Sequence, residues 1–225
     1  MKRAKLAFSE ADYDAAVARY RAEWSILDDA LYKLCRENPR HNSSASVYAK
    51  VFIIGRSYAT GIERQVKSLG GQGSSISQVA SCFMENGKSI DKLLDRISEV
   101  NAELTPSLLD SVINVHGGIL NFLRPITRKL RSPRSFVSKY LHFHNPLTPI
   151  YDSYSAWSLE RLVPDSETIR FPVTAAQADE QYAQHVARFL SLYSRVSQKR
   201  SDLTVKNLDH YLVWRADEEA VPLQP

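Results

Sequence analysis

Apolar positions recur every three or four residues along most of this chain, the period of a helix with one buried stripe. Residues 9–38 show it first: Tyr13, Val17, Tyr20, Trp24, Leu27, Leu31 and Leu34 step along one face. Ser9 is placed to cap this helix, Glu10 and Asp12 suit its positive end, and Asn38-Pro39 stops it. A polar loop follows. From Ser46 to Val66 the positions Val47, Val51, Ile54, Tyr58 and Ile62 again share a helical face. The β-branched run Val51–Ile54 fits a short strand as well, but its place between helical patterns favours helix. Gly70 to Ser75 reads as loop; no strand precedes it and no Lys-Ser/Thr follows, so it is not a phosphate loop.

The second half continues the period. Helices are expected over 75–86 and 88–99, separated by Asn86-Gly87 as a left-handed stop. Thr105-Pro106 starts another, with His116-Gly117-Gly118 a point of interruption before Leu120. Ser132-Pro133 has the same cap-then-proline form and opens a helix through 144 that buries Phe136, Val137, Tyr140, Leu141 and Phe143. Asn145-Pro146 ends it, and Asp152 can cap a helix over 153–163. Thr174 is expected to cap a helix over 175–199, and Thr204 one running to about Glu218. No stretch reads convincingly as strand. The expectation is an all-α, multi-helix chain of about nine helices with short connections, 1–225 forming one unit.

Charge changes this picture at one place. The chain of 225 residues carries a formal net charge of +4. Arg124, Arg128, Lys129, Arg131, Arg134 and Lys139 fall within residues 124–139 without an acid among them, which leaves the rest slightly acidic. A local basic stripe on a near-neutral body suits a phosphate backbone; a solvated helix face is the plainer reading. Two cysteines, Cys35 and Cys82, have no paired motif and fit a reducing, cytoplasmic setting. No run of about 18 apolar residues is present for a membrane span, and the N-terminus turns charged too soon for a secretory signal. His142 and His144, two apart, make a poor metal pair, and no metal or cofactor is expected.

Asp152 is the chemical candidate. A lone acid at a helix start is ordinarily a cap. Downstream of a basic segment, it is also a carboxylate that could steady positive charge developing on a sugar ring. The runs Ser135-Phe-Val-Ser-Lys-Tyr-Leu-His-Phe and Pro149-Ile-Tyr-Asp-Ser-Tyr-Ser-Ala resemble the core of the helix-hairpin-helix DNA glycosylase superfamily. The likeness is nearest to the bacterial 8-oxoguanine glycosylase-like group, some of which are linked to phage defence. Residues 51–64 are similar to a recurring segment of that group.

The resemblance implies helical lobes with a cleft between them, 105–163 as the helix-hairpin-helix core, and double-stranded DNA with a flipped modified base as partner. It implies excision of that base, in repair or in defence. Asp152 matches the essential acid. Arg128, Lys129, Arg131 and Arg134 would grip DNA. Arg56, Tyr58, Tyr151 and Tyr154 are candidates for the base pocket, although Arg56 with Glu63 also reads as an internal ion pair and Tyr140 and its neighbours as core. Two departures stand out. The hairpin place, Lys129-Leu-Arg-Ser-Pro-Arg, has no glycine. The position of the superfamily's nucleophilic lysine falls near Arg134, which cannot form a Schiff base; Lys139, more than a turn later, is the lysine available in that helix. Two rivals remain. Arg36 and His41 match the Arg-x4-His spacing of HEPN ribonucleases, with Pro39 between them, and the chain could bind nucleic acid without cleaving it.

Overall fold

The computed structural model describes residues 6–67, 73–98, 103–128, 132–174 and 178–219. Eleven α-helices run through them: α1 (Glu10–Glu23), α2 (Ser25–Glu37), α3 (Ser44–Phe52), α4 (Ile62–Gln65), α5 (Ser75–Glu85), α6 (Gly87–Asp95), α7 (Pro106–Leu123), α8 (Arg134–His144), α9 (Ser153–Leu162), α10 (Glu180–Val196) and α11 (Val205–Glu218). Among the described residues there is no strand; Val66 and Thr127 form an isolated antiparallel bridge. No helix among them is long and apolar enough to cross a membrane. The all-α expectation therefore holds.

Side-chain oxygens set most helix starts. Ser9, Ser43, Ser74, Thr105, Asp152, Asp179 and Thr204 each accept a backbone N–H from the first turn they cap, relieving donors that a helix start leaves unpaired. Several expected boundaries move. The helix expected over 9–38 breaks at Trp24, and the break rotates the buried face: α2 buries Asp28, Leu31 and Cys35, while Trp24 is exposed. The helix beginning near Ser46 runs only to Phe52, then widens into a π-turn at Ile53–Ser57. At the Asn86 corner φ is −98°, not left-handed. Gly87 is needed there for closeness: a Cβ would lie 2.9 Å from both the Cβ and the backbone oxygen of His41.

His116-Gly117-Gly118 does not interrupt α7, and Gly118 lets Leu93 pack against the helix backbone. The Ser132-Pro133 cap shifts by one: Pro133 is the cap residue, and Ser132 donates its hydroxyl proton to Asp179 instead. Thr174 does not cap; it is held by Asp110, and Asp179 caps the shorter α10.

Buried apolar side chains form two clusters. The larger joins α2, α3, α5, α6, α7 and α8. The smaller joins α1, α9 and α11 through Tyr13, Val17, Leu159, Leu162, Leu208 and Leu212. Helix α10 serves both, with Tyr182, Val186 and Leu190 in the first and Phe189, Leu192 and Val196 in the second. The consequence for function is a seam, where α1 and α11 of one cluster face α8 and the π-turn of the other.

The Gly87 contact gives a test of the packing. Gly87→Ala should lower stability by about 1–3 kcal/mol, because the His41 backbone must move to admit a methyl. Urea unfolding of the two proteins checks this; an unchanged or higher midpoint would mean the His41 segment yields freely.

Candidate functional site

Helix α8 ends at Asn145, whose side chain locks the following turn: its amide donates to Ile97 O at 2.5 Å and its oxygen accepts Leu147 N at 2.8 Å. Buried side chains then hold the turn carbonyl by carbonyl. His142 Nδ1 donates to Thr148 O (2.8 Å), the Tyr182 hydroxyl to Pro149 O (2.8 Å), and His185 Nε2 to Ile150 O (2.7 Å). The next amide, Tyr151 N, donates to Ser138 Oγ at 2.9 Å. A turn held at successive peptides fixes the direction in which the next residue leaves it. That residue is Asp152.

Asp152 caps α9 through one oxygen: Oδ1 accepts Tyr154 N (2.8 Å) and Ser155 N (3.3 Å), and Ser155 Oγ returns a bond from Asp152 N in a capping box. The other oxygen faces Lys139, with Nζ 3.3 Å from Oδ2. Burial by itself would raise this carboxyl; the charge of Lys139 and the two backbone N–H groups outweigh it and hold Asp152 below the usual carboxylate range. Lys139 also donates to Tyr58 O (3.2 Å) and Ser135 Oγ (3.3 Å), so three partners use its three protons and its side chain is only 8% exposed.

The Tyr58 carbonyl is aimed by unusual backbone. The π-turn ends at Ser57, Ala59 has φ of +49° and Gly61 φ of +68°. π-turns inside helices and left-handed non-glycine residues are both uncommon and both concentrate at functional sites.

These groups line a cavity of about 320 Å³ at the seam between the two clusters. Tyr20, Trp24, Tyr58, Tyr154 and Trp214 supply aromatic walls, and Lys139, Asp152 and Asp209 supply charge and protons. Beneath it lies a fully buried Asp28, paired with Lys206 at 3.0 Å and accepting the Tyr58 hydroxyl. Burial would raise Asp28, but its contacts with His210, Lys206 and Tyr58 outweigh it and hold it well below the usual range. His210 stacks on Tyr20 with ring centroids 3.9 Å apart, and burial brings its pKa down to about 4.

Asp209 differs from both other acids. It is 5% exposed, and its Oδ1 is buried with no hydrogen-bond partner. A carboxylate left so is expensive, and burial pushes its pKa up to about 7; Lys206 and Lys139 lower it while Asp152 and Asp28 raise it further.

The structure therefore brings Asp152, Lys139, Tyr58 and Tyr154 to one cavity and leaves other candidates outside it. Arg56 is exposed and bonded to Glu63 at 2.9 Å, which is the internal ion pair. Tyr151 faces the opposite side, in a hollow shared with His185 and Arg188. Arg134 is paired with Asp179 at 2.5 Å, so its charge is already neutralised. Arg128 is exposed, and the positions expected for Lys129 and Arg131 lie outside the described residues. Arg128 N bonds Gln65 O and Lys67 N bonds Ile126 O, which sets exposed Arg124, Arg128 and Arg64 on one edge. The ribonuclease pattern does not assemble: the His41 ring is fully shielded, with its nitrogens on Asp91 and the Tyr140 hydroxyl at 2.7 Å each. Tyr140 is core.

Sequence reasoning overlooked Asp28, Lys206, Asp209 and His210. A signal was there for the two acids. Asp28 lies three before Leu31 and seven before Cys35, and Asp209 four after Val205 and three before Leu212, so both sit on buried stripes. No protein-family model, no curated protein and no solved structure matches this chain. The site must be judged on its own chemistry.

Asp209 carries a test by stability alone. An acid whose folded pKa is raised favours the folded state below its unfolded pKa, and that advantage is lost as pH rises through the folded value. Native protein should thus lose stability between about pH 4 and pH 7 from this group, on the order of a few kcal/mol. Asp209→Asn should flatten that part of the curve, read by urea denaturation across the range. Parallel curves for the two proteins would contradict the assignment.

Proposed function

We propose that the cavity is the active site of a DNA glycosylase, which releases a modified base from double-stranded DNA by breaking its N-glycosidic bond. One observation carries the reading: a carboxylate kept ionised by a lysine 3.3 Å away, at the mouth of a helix and facing an aromatic-walled cavity. Cleavage of a base from deoxyribose builds positive charge on the sugar ring. A fixed, low-pKa carboxylate such as Asp152 stabilises that charge without having to reorganise at the moment of reaction. Aromatic walls suit a base taken out of the stack, since each of the bases presents a flat π-face. Tyr58 and Tyr154 from the earlier candidates, with Trp24 and Trp214, form those walls.

The resemblance to helix-hairpin-helix glycosylases points the same way. On this reading α7 to α9 is the helix-hairpin-helix core, the two apolar clusters are the two lobes, and the seam is the DNA cleft. Helix geometry supports a role for the displaced lysine on this reading. Ser135 and Lys139 are four apart on one face of α8, and that face is turned to Asp152. Lys139 is then placed either to attack the sugar carbon or to hold Asp152 for an attacking water. The basic edge at Arg64, Arg124 and Arg128 supplies phosphate contacts.

Asp152→Asn is a clean probe because asparagine caps helices as well as aspartate does. Base release from duplex oligonucleotides carrying a panel of modified bases, followed by mass spectrometry, should fall at least 100-fold. Binding to the same duplexes should stay within a few-fold. Retained release would overturn the reading. Borohydride trapping separates the two roles of Lys139: an adduct in the native protein that disappears in Lys139→Ala marks it as nucleophile. Base release without any adduct marks a hydrolytic enzyme.

A further inference from the structure

The departing base takes its bonding electrons with it, and it needs a proton to leave neutral. We infer that Asp209 is the general acid of this site, protonating the base as the C1′–N bond breaks; this rests on the glycosylase reading and deepens it.

The acids lining or underlying the cavity have different commitments. Asp152 has Lys139 and two backbone N–H groups. Asp28 has Lys206 and the Tyr58 hydroxyl. At the exposed rim Arg19 serves both Glu23, at 3.2 Å, and Asp217, at 3.7 Å. Each of these has a cation within 4 Å; Asp28 Oδ2, also without a hydrogen bond, has the Lys206 charge 3.0 Å away. Asp209 is the acid of this group that lines the cavity while buried, with a shielded oxygen that no donor reaches. A carboxyl in that setting is more stable with its proton on. Its pKa near 7 then matches what an acid needs at neutral pH: protonated at the start, yet willing to give the proton up. Two carboxyls in one site with pKa values driven apart is the arrangement that divides charge stabilisation from proton donation.

The groups around Asp209 come from several elements: Lys139 on α8, Asp152 at the head of α9, Asp28 on α2, and Lys206 on α11 itself. Ionisation of Asp209 beside Asp152 and Asp28 costs charge repulsion, while Lys206 and Lys139 ease it, so the proton can leave without stranding an unscreened anion. In the hydrolytic cycle the C1′–N electron pair goes to the base and the Asp209 proton goes with it. Water then bonds to C1′, and its proton returns to Asp209. Free base and the sugar hydroxyl are the products, and the carboxyl is restored.

The histidines do not obscure the test. The chain has six, and burial lowers His41, His116, His142, His144, His185 and His210 alike. Infrared difference spectra of the whole protein between pH 5 and pH 9 should show a protonated carboxyl that disappears near pH 7. The band should be missing in Asp209→Asn; its absence from the native protein overturns the proposal.

Base release is then followed over the same pH range with duplexes carrying 8-oxoguanine or 5-hydroxymethylcytosine. Native kcat should drop up to tenfold per pH unit above about 7. Asp209→Asn should have kcat lower by about 100-fold or more, no alkaline fall, and a KM within threefold. An active native protein whose Asp209→Asn variant keeps its rate and pH profile overturns the general acid alone. A native protein that releases neither of these bases, nor any of the wider panel, overturns the glycosylase reading and this inference with it.

Discussion

The contact between Lys139 and Asp152 is the constraint on which the site depends. It ties the middle of α8 to the start of α9, and so spans the turn between them. Neither group could be left alone there. A lysine 8% exposed without a counter-charge would be strongly disfavoured, and so would a carboxylate at that depth. The pair is tolerable because further hydrogen bonds support both groups: Oδ1 accepts two backbone N–H groups, and Nζ donates to Tyr58 O and Ser135 Oγ. The turn cannot relax away from this arrangement, because His142, Tyr182, His185 and Ser138 grip its successive peptides. Rigid support of this kind is what lets a charge act on a developing charge without spending energy on its own reorganisation.

Packing explains where the cavity opens. Ridges of α1, α9 and α11 close on one another, and α2 to α8 close on themselves. Helix α10 joins the two but covers only one side. On the other side the π-turn widens α3's continuation and Ala59 turns the chain in a left-handed conformation, so the segment bulges toward Lys139 instead of continuing as a smooth helix. The freed Gly55 carbonyl is not wasted; Thr60 Oγ1 donates to it at 3.3 Å. Gly55 itself allows the close approach of Ile76 that keeps this irregular stretch attached to α5. Local strain at the cavity is thus compensated by contacts one layer behind it.

Much of this was legible in the residue pattern, for reasons that can be stated. Caps by Ser9, Thr105, Asp152 and Thr204 are local hydrogen bonds between residues three apart or fewer, and a sequence displays them directly. The core faces of α7, α8 and α10 follow from a period of three to four. What was illegible depends on distant partners. Gly87 looked like a left-handed stop, yet its role is set by His41 across the fold. Arg134 read as a phosphate ligand until Asp179, 45 residues on, paired with it. The cavity needs α1 and α11, from opposite ends of the chain, and no local pattern joins Trp24 to Trp214.

The acids show where pattern reading could go further. Asp28 and Asp209 both occupy stripe positions that an apolar residue would fill more cheaply, and burying an acid there costs stability whichever way it is resolved. The fold resolves the two in opposite senses. Asp28 is given a lysine and a hydroxyl, and remains charged. Asp209, one turn of α11 from that same Lys206, is given nothing for its shielded oxygen. Packing gives no reason for an acid on a buried stripe, facing a cavity and without a donor on its shielded oxygen; the proposed role of Asp209 as general acid would give one.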